Sequence, residues 1–214
     1  MSALIGVIDY GMGNRRSVQK AIEHVGARAD ISSYPGALER CDGLVLPGVG
    51  AFPAGMRQLR SRGLDELIRA RVADGAPLLG ICLGMQLLFE HSQEGERTPG
   101  LGLLCGAVTR IHSEGLRLPH IGWNEVRFER PSPLTEPLPA RGCPFYHVHS
   151  LVPRPADGDQ VIATTEYGER FATIVQSGHV FGVQFHPEKS SHHGLAMLGA
   201  FVGICAGATV PARA

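Results

Sequence analysis

Short continuous apolar runs alternate along the first half of the chain with stretches whose apolar residues recur at helical spacing. Leu4-Ile5-Gly6-Val7-Ile8 is continuously apolar, as a parallel strand buried on both faces must be. After the glycine-rich loop Asp9–Asn14, residues Val18, Ala21, Ile22 and Val25 fall at i, i+3, i+4 and i+7, which predicts one helical face closed by Gly26. Arg28–Ser32 reads as a weaker strand, and Gly43–Leu46 as a third, stopped by Pro47. Phe52–Arg60 and Leu64–Asp74 read as helices, with Gly75 as the stop, and Leu78–Ile81 as the next strand. Strand and helix in alternation predict a mostly parallel central sheet with helices on both faces.

The pattern changes after about residue 92. His91–Gly102 is polar and is expected to be a flexible loop. Beyond it come β-like runs at Ala107–Ile111, Asn124–Phe128, Phe145–His149, Val161–Tyr167, Phe171–Gln176 and Val180–Phe185. Prolines 131, 133, 137, 139, 153 and 155 are expected to mark loops between them. Gly168-Glu169 suits a hairpin turn. Ser190–Ala206 reads as a closing helix with Leu195, Leu198, Phe201, Val202 and Cys205 on one face, and Thr209–Ala214 as a frayed tail. The C-terminal half therefore carries an antiparallel β section. No linker is visible, and the 214 residues suit one domain.

Composition removes several function classes. Acidic and basic residues balance at 20 each, so no field favours nucleic acid or a membrane surface. Five cysteines, 41, 82, 105, 143 and 205, show no C-x-x-C spacing, so neither a zinc ribbon nor a disulfide scaffold is expected. A reducing cytosol is the expected compartment. Met1-Ser2-Ala3 lacks a basic segment, and Pro77–Phe89, the longest uncharged apolar run, is too short to span a bilayer, so a soluble protein without a signal peptide is expected.

Against that background Gly80-Ile81-Cys82-Leu83-Gly84 stands out. It joins the apolar run Pro77-Leu78-Leu79 to a helix-like segment, Met85–Glu90. Strand, Gly-x-nucleophile-x-Gly and helix make a nucleophile elbow, with glycines where strand and helix approach closely. The helix end behind Cys82 favours a thiolate. Val183–Lys189 offers the base. On a strand pattern His186 and Glu188 share one face, an imidazole with a carboxylate to orient it. Pro47-Gly48-Val49-Gly50 follows a strand, and the Val49 amide with that of Leu83 could form an oxyanion hole. Gln86, one helical turn past Cys82, could hold a substrate amide or carboxylate. His147 and His149 alternate on a strand pattern, but no third ligand accompanies them, and neither metal nor cofactor is expected.

Gly80–Gln86 paired with Val183–Glu188, about a hundred residues apart, resembles the class I, triad-type glutamine amidotransferases. Further motifs narrow the resemblance within that family: Tyr10-Gly11-Met12-Gly13-Asn14, Pro47–Phe52, Pro119-His120-Ile121-Gly122-Trp123-Asn124 and His186–Ser190. It covers Leu4 to about Phe201. The resemblance implies a three-layer, flavodoxin-like α/β sandwich and hydrolysis of L-glutamine. Cys82 would attack the side-chain amide, His186 would act as base and then acid, and Glu188 would orient His186. Gly50, Gln86, Glu94 and the backbone of His149, Ser150 and Leu151 would hold glutamine. Asn14, Trp123 and Lys189 would face a partner, a separate cyclase subunit with a (β/α)8 barrel that receives the ammonia. The family commonly has Leu where this chain has Arg15, and Phe and Tyr where it has His147 and Leu151. A cysteine peptidase or DJ-1-like hydrolase would not close on His-Pro-Glu. A scaffold without catalysis would not need the triad.

Overall fold

The computed structural model describes residues 2–207; the tail Thr209–Ala214, expected to fray, lies outside the described residues. The elements of the first half follow the apolar pattern: β1 Leu4–Ile8, α1 Arg15–His24, β2 Arg28–Ser32, α2 Pro35–Leu38, β3 Gly43–Leu46, α3 Phe52–Arg60, α4 Leu64–Ala73 and β4 Leu78–Ile81. Then come α5 Leu83–Leu87, β5 Phe89–Ser92, β6 Thr98–Pro99, β7 Leu104–Arg110, β8 His120–Phe128, β9 Gly142–His149 and β10 Leu151–Pro155. The chain closes through β11 Val161–Tyr167, β12 Glu169–Ser177, β13 Val180–Val183 and α6 Ser191–Cys205.

Nine strands form the main sheet in the order β2-β1-β3-β4-β13-β12-β11-β8-β9. The first five run parallel, and β12, β11, β8 and β9 continue it antiparallel. Alternate strand residues feed two cores. Ile5, Val7, Val45, Leu79, Ile81, Phe181 and Val183 pack under α1 and α6, with Phe201 and Leu198 against them. Ile8, Leu44, Leu46 and Leu78 pack under the other helices, with Phe52, Met56, Leu59, Leu64 and Ile68. Both faces are buried, which is why these strands read as unbroken apolar runs. The result is the expected α/β sandwich of three layers.

Four departures lie beyond β4. The helix behind Cys82 is not Met85–Glu90 but the shorter α5, because Phe89 leaves it to pair with Leu104 in a second sheet, β10-β7-β5-β6. His91–Gly102 is therefore not a plain loop; it holds the end of β5 and all of β6. Pro153 and Pro155 do not mark a loop but lie in β10, an edge strand, where a missing N–H costs no ladder bond. His186 and Glu188 do not share a strand face, since β13 stops at Val183 and Pro187–Lys189 is a single 3-10 turn.

Candidate active site

Three neighbouring parallel strands end at one level of the sheet and deliver the site. β4 lies between β3 and β13, with Leu46 opposite Gly80 and Val183 opposite Ile81. Pro47-Gly48, Cys82 and His186 therefore leave adjacent C-terminal strand ends, the usual place for a site in an open α/β sheet. Cys82 sits in the turn with φ 54° and ψ −111°, a backbone conformation that L-residues rarely adopt. Its N–H donates to Val183 O (2.8 Å). The flanking glycines are required by contact. A Cβ on Gly84 would lie 1.7 Å from Leu46 O, and one on Gly80 would lie 2.7 Å from Met85 N.

His186 meets Glu188 through the 3-10 turn, with Nδ1 2.9 Å from Glu188 Oε1 and both side chains buried. Burial pushes the imidazole down. Hydrogen bonds to Cys82 and Glu188 outweigh it and raise the His186 pKa to about 9. His186 thus holds its proton at neutral pH. Ser190, fully buried, steadies the turn: its hydroxyl donates to His186 O (2.7 Å) and accepts from Tyr146 N (3.0 Å). Asn14 Nδ2 donates to Glu188 Oε1, so the first loop reaches the back of the triad.

The other expected site residues surround this centre. Gln86 is buried below Cys82, and its amide nitrogen is already committed, to Leu151 O (3.2 Å) and Gln184 Oε1 (3.0 Å). Only its oxygen is left to face a ligand. Glu94 Oε2 accepts from Phe52 N (2.7 Å) at the start of α3. Val49 and Gly50 are exposed, while Gly48 is packed against Leu83, where a Cβ would lie 2.8 Å from the Leu83 Cβ. His149, Ser150 and Leu151 form the β9–β10 corner, and the Cys82 thiol lies 3.8 Å from the adjoining Val148 O. Trp123 (54% exposed) and Ile121 (59%) share one face of β8, with Tyr146 edge-on to Trp123. Lys189 is exposed next to the triad. The Asn14 side chain reaches inward to Glu188.

The whole described fold matches a known family. Residues 6–207 fit the model of glutamine amidotransferase class-I. The HisH subunit of imidazole glycerol phosphate synthase from Moorella thermoacetica is 50% identical over 197 residues, 92% of this chain and 93% of that one. The HisH subunit from Geobacillus kaustophilus is 48% identical, covering 95% and 98%. The chain belongs to the class I glutamine amidotransferases. Within that family it falls with HisH, the glutamine-hydrolysing subunit of imidazole glycerol phosphate synthase in histidine biosynthesis. Solved structures agree at the level of fold: a glutamine amidotransferase superposes with TM-score 0.74 at 23% identity, covering 95% and 98% of the two chains. PurLQS from Thermotoga maritima gives 0.76 at 21%, covering 95% and 99%.

Against this family the three unusual residues have local explanations in two cases. Arg15 pairs with Asp9, and that guanidinium with the Gly11 amide overcomes burial to hold the Asp9 carboxyl below its ordinary range. His147 is fully buried where the family commonly has Phe. Its Nδ1 lies 3.1 Å from Phe145 O and its Nε2 3.1 Å from Thr173 Oγ1. A carbonyl only accepts, so Nδ1 carries the proton and the Thr173 hydroxyl donates to Nε2. Nothing in the structure explains Leu151. The same logic fixes two further rings. His149 Nδ1 faces Leu151 O (3.0 Å), its Nε2 accepts from His120 Nδ1 (3.1 Å), and His120 Nε2 accepts from Asn124 Nδ2 (3.3 Å). Burial pushes His120 down to about 4 and His149 to about 3. These are neutral, fixed tautomers that brace the β8–β9–β10 corner. Sequence pattern alone did not find Gln184, Ser190, His120 or Asn14's inner role. Gln184 was the one with a signal, a polar residue inside the apolar run Val183–Phe185.

Among the described residues no helix is long and apolar enough to cross a membrane.

Proposed function

We propose that Cys82, His186 and Glu188 are the hydrolytic triad of this glutamine amidotransferase, within a single domain. The observation that carries the reading is Cys82 held in the strained elbow beside a buried His186–Glu188 pair at 2.9 Å. The Cys82 sulfur attacks the side-chain carbonyl carbon of glutamine. The sulfur attacks as thiolate, and the proton held by His186 passes to the departing nitrogen, releasing ammonia and leaving a glutamyl thioester and a neutral imidazole. Water, deprotonated by His186, then cleaves the thioester to glutamate. The amides of Val49 and Leu83 receive the oxyanion in both steps. Glutamine is held by Gly50, the Gln86 oxygen, Glu94 and the backbone from His149 to Leu151. The raised pKa of His186 suits its role as acid toward ammonia.

The partner in this reading is the cyclase subunit HisF, forming a heterodimer across the face that carries Trp123, Ile121, Lys189 and the Asn14 loop. Ammonia free in neutral water is mostly protonated and loses its nucleophilicity, so passage through a dry channel to the cyclase preserves it. There it converts the phosphoribulosyl substrate PRFAR to imidazole glycerol phosphate and AICAR, in the cytoplasm. Neither half of this reading needs a metal or cofactor.

A glutamine-like electrophile, such as the chloroketone analogue, tests the triad. We expect modification of Cys82 at one equivalent per chain, slowed by added glutamine. Modification at other cysteines with Cys82 spared contradicts the assignment. Burial raises the thiol pKa of Cys41, that of Cys143 to about 11 and that of Cys205 to about 12, so competition from them is small.

A further inference from the structure

Behind the nucleophile lies an amide relay that the triad does not include. Gln184 is fully buried, two residues before His186 and one past the end of β13, where its N–H donates to Thr173 O (2.9 Å). Its Nε2 lies 3.7 Å from Cys82 Sγ, within hydrogen-bond range for sulfur. Amide oxygen and nitrogen are assigned by their partners, and here the partners leave no choice. Leu151 O is a backbone carbonyl and can only accept, so the Gln86 atom 3.2 Å from it is the nitrogen. That nitrogen also lies 3.0 Å from Gln184, so the Gln184 atom facing it is the oxygen. The Gln184 nitrogen must then face the sulfur.

We propose that Gln184 is a further catalytic residue of glutamine hydrolysis, donating an N–H to the Cys82 sulfur whenever the sulfur carries negative charge. The proposal rests on Cys82 being the nucleophile. The donor acts twice. It stabilises the thiolate before attack, and it stabilises the sulfur again as leaving group when water cleaves the thioester. No proton changes hands, so the atoms and charges of the reaction are unaltered. A hydrogen bond to a charged acceptor in a buried site is worth more than one to a neutral acceptor, so the thiolate gains over both thiol and thioester. The anchor through Gln86 to Leu151 keeps the amide from turning its oxygen toward the sulfur, which would repel the charge.

The test uses the full chain and follows alkylation of Cys82 by iodoacetamide, read on the Cys82 peptide by mass spectrometry so that the exposed Cys105 does not interfere. Gln184→Leu keeps the bulk and removes the donor; Gln184→Glu keeps the shape and puts a carboxylate at the sulfur. We expect Gln184→Leu to slow Cys82 alkylation about tenfold at pH 7 and to move the rate profile toward higher pH by about one unit. Gln184→Glu is expected to slow it further. An unchanged profile in either folded variant overturns the proposal. The unmodified chain gives a second reading independent of variant folding: the Gln184 side-chain amide proton resonances should shift when the pH is taken through the alkylation profile of Cys82. Static resonances overturn the proposal as well. Failure here is distinct from failure of the nucleophile assignment, which Cys82→Ala decides by losing or keeping glutamine hydrolysis.

Discussion

Cys82 is held at φ 54° by its neighbours rather than by its own preference. Such a conformation costs a non-glycine residue about 1–3 kcal/mol. Cys82→Ala removes the sulfur and keeps the strain, whereas Cys82→Gly removes both. We expect Cys82→Gly to be more stable than Cys82→Ala by about 1 kcal/mol in urea denaturation, after the loss that glycine brings through the unfolded chain. Equal stabilities, or alanine the more stable, would show that the elbow is not strained. The elbow at Cys82 and its flanking glycines were legible in the sequence, because Gly-x-Cys-x-Gly after an apolar run marks a tight strand-to-helix turn. The strand argument for His186 and Glu188 reached the right pair by the wrong geometry. The i, i+2 spacing also closes through a 3-10 turn, and Pro187 favours that turn over continuing the strand.

At the scale of elements, three strand ends make the site and the fixed imidazoles hold its far wall. His147 ties β9 to Thr173 on β12. Removing one partner leaves a buried polar group unsatisfied; removing both with a matching shape does not. Thr173→Val is therefore expected to cost about 1–3 kcal/mol, and His147→Phe added to it to recover most of that loss. Costs that simply add in urea denaturation would mean that the pair does not interact. The inner parallel strands and the long helices were legible because each buries a continuous or periodic apolar set. The short second sheet was not. β5 and β10 mix polar residues and prolines, and their pairing partners lie well separated in sequence, so no local pattern marks them.

For the whole molecule, the buried histidines set an optimum of stability with pH. An unfolded histidine titrates near 6.5, but His120 and His149 resist protonation down to about 4 and 3. Between those values and 6.5 the unfolded chain binds more protons, so stability falls as the pH drops below 6.5. His186 acts oppositely. Its pKa of about 9 gives stability that is complete below 6.5 and lost as the pH rises to 9. Denaturation across pH 4–9 is expected to show greatest stability near pH 6.5, and a flat profile would contradict these assignments. The exposed Trp123–Ile121 face was legible only as a motif; its exposure is a property of the finished sheet edge near β9.

The role proposed for Cys82 is to generate ammonia here for use elsewhere. The direct measurement is imidazole glycerol phosphate formation by the chain with its cyclase, comparing Cys82→Ala with the unmodified protein. With glutamine as nitrogen source the variant is expected to lose activity about a thousandfold or more. With added ammonium salt at alkaline pH it should match the unmodified complex. Retained glutamine-dependent turnover, or loss of both activities in a complex that still assembles, would rule that role out.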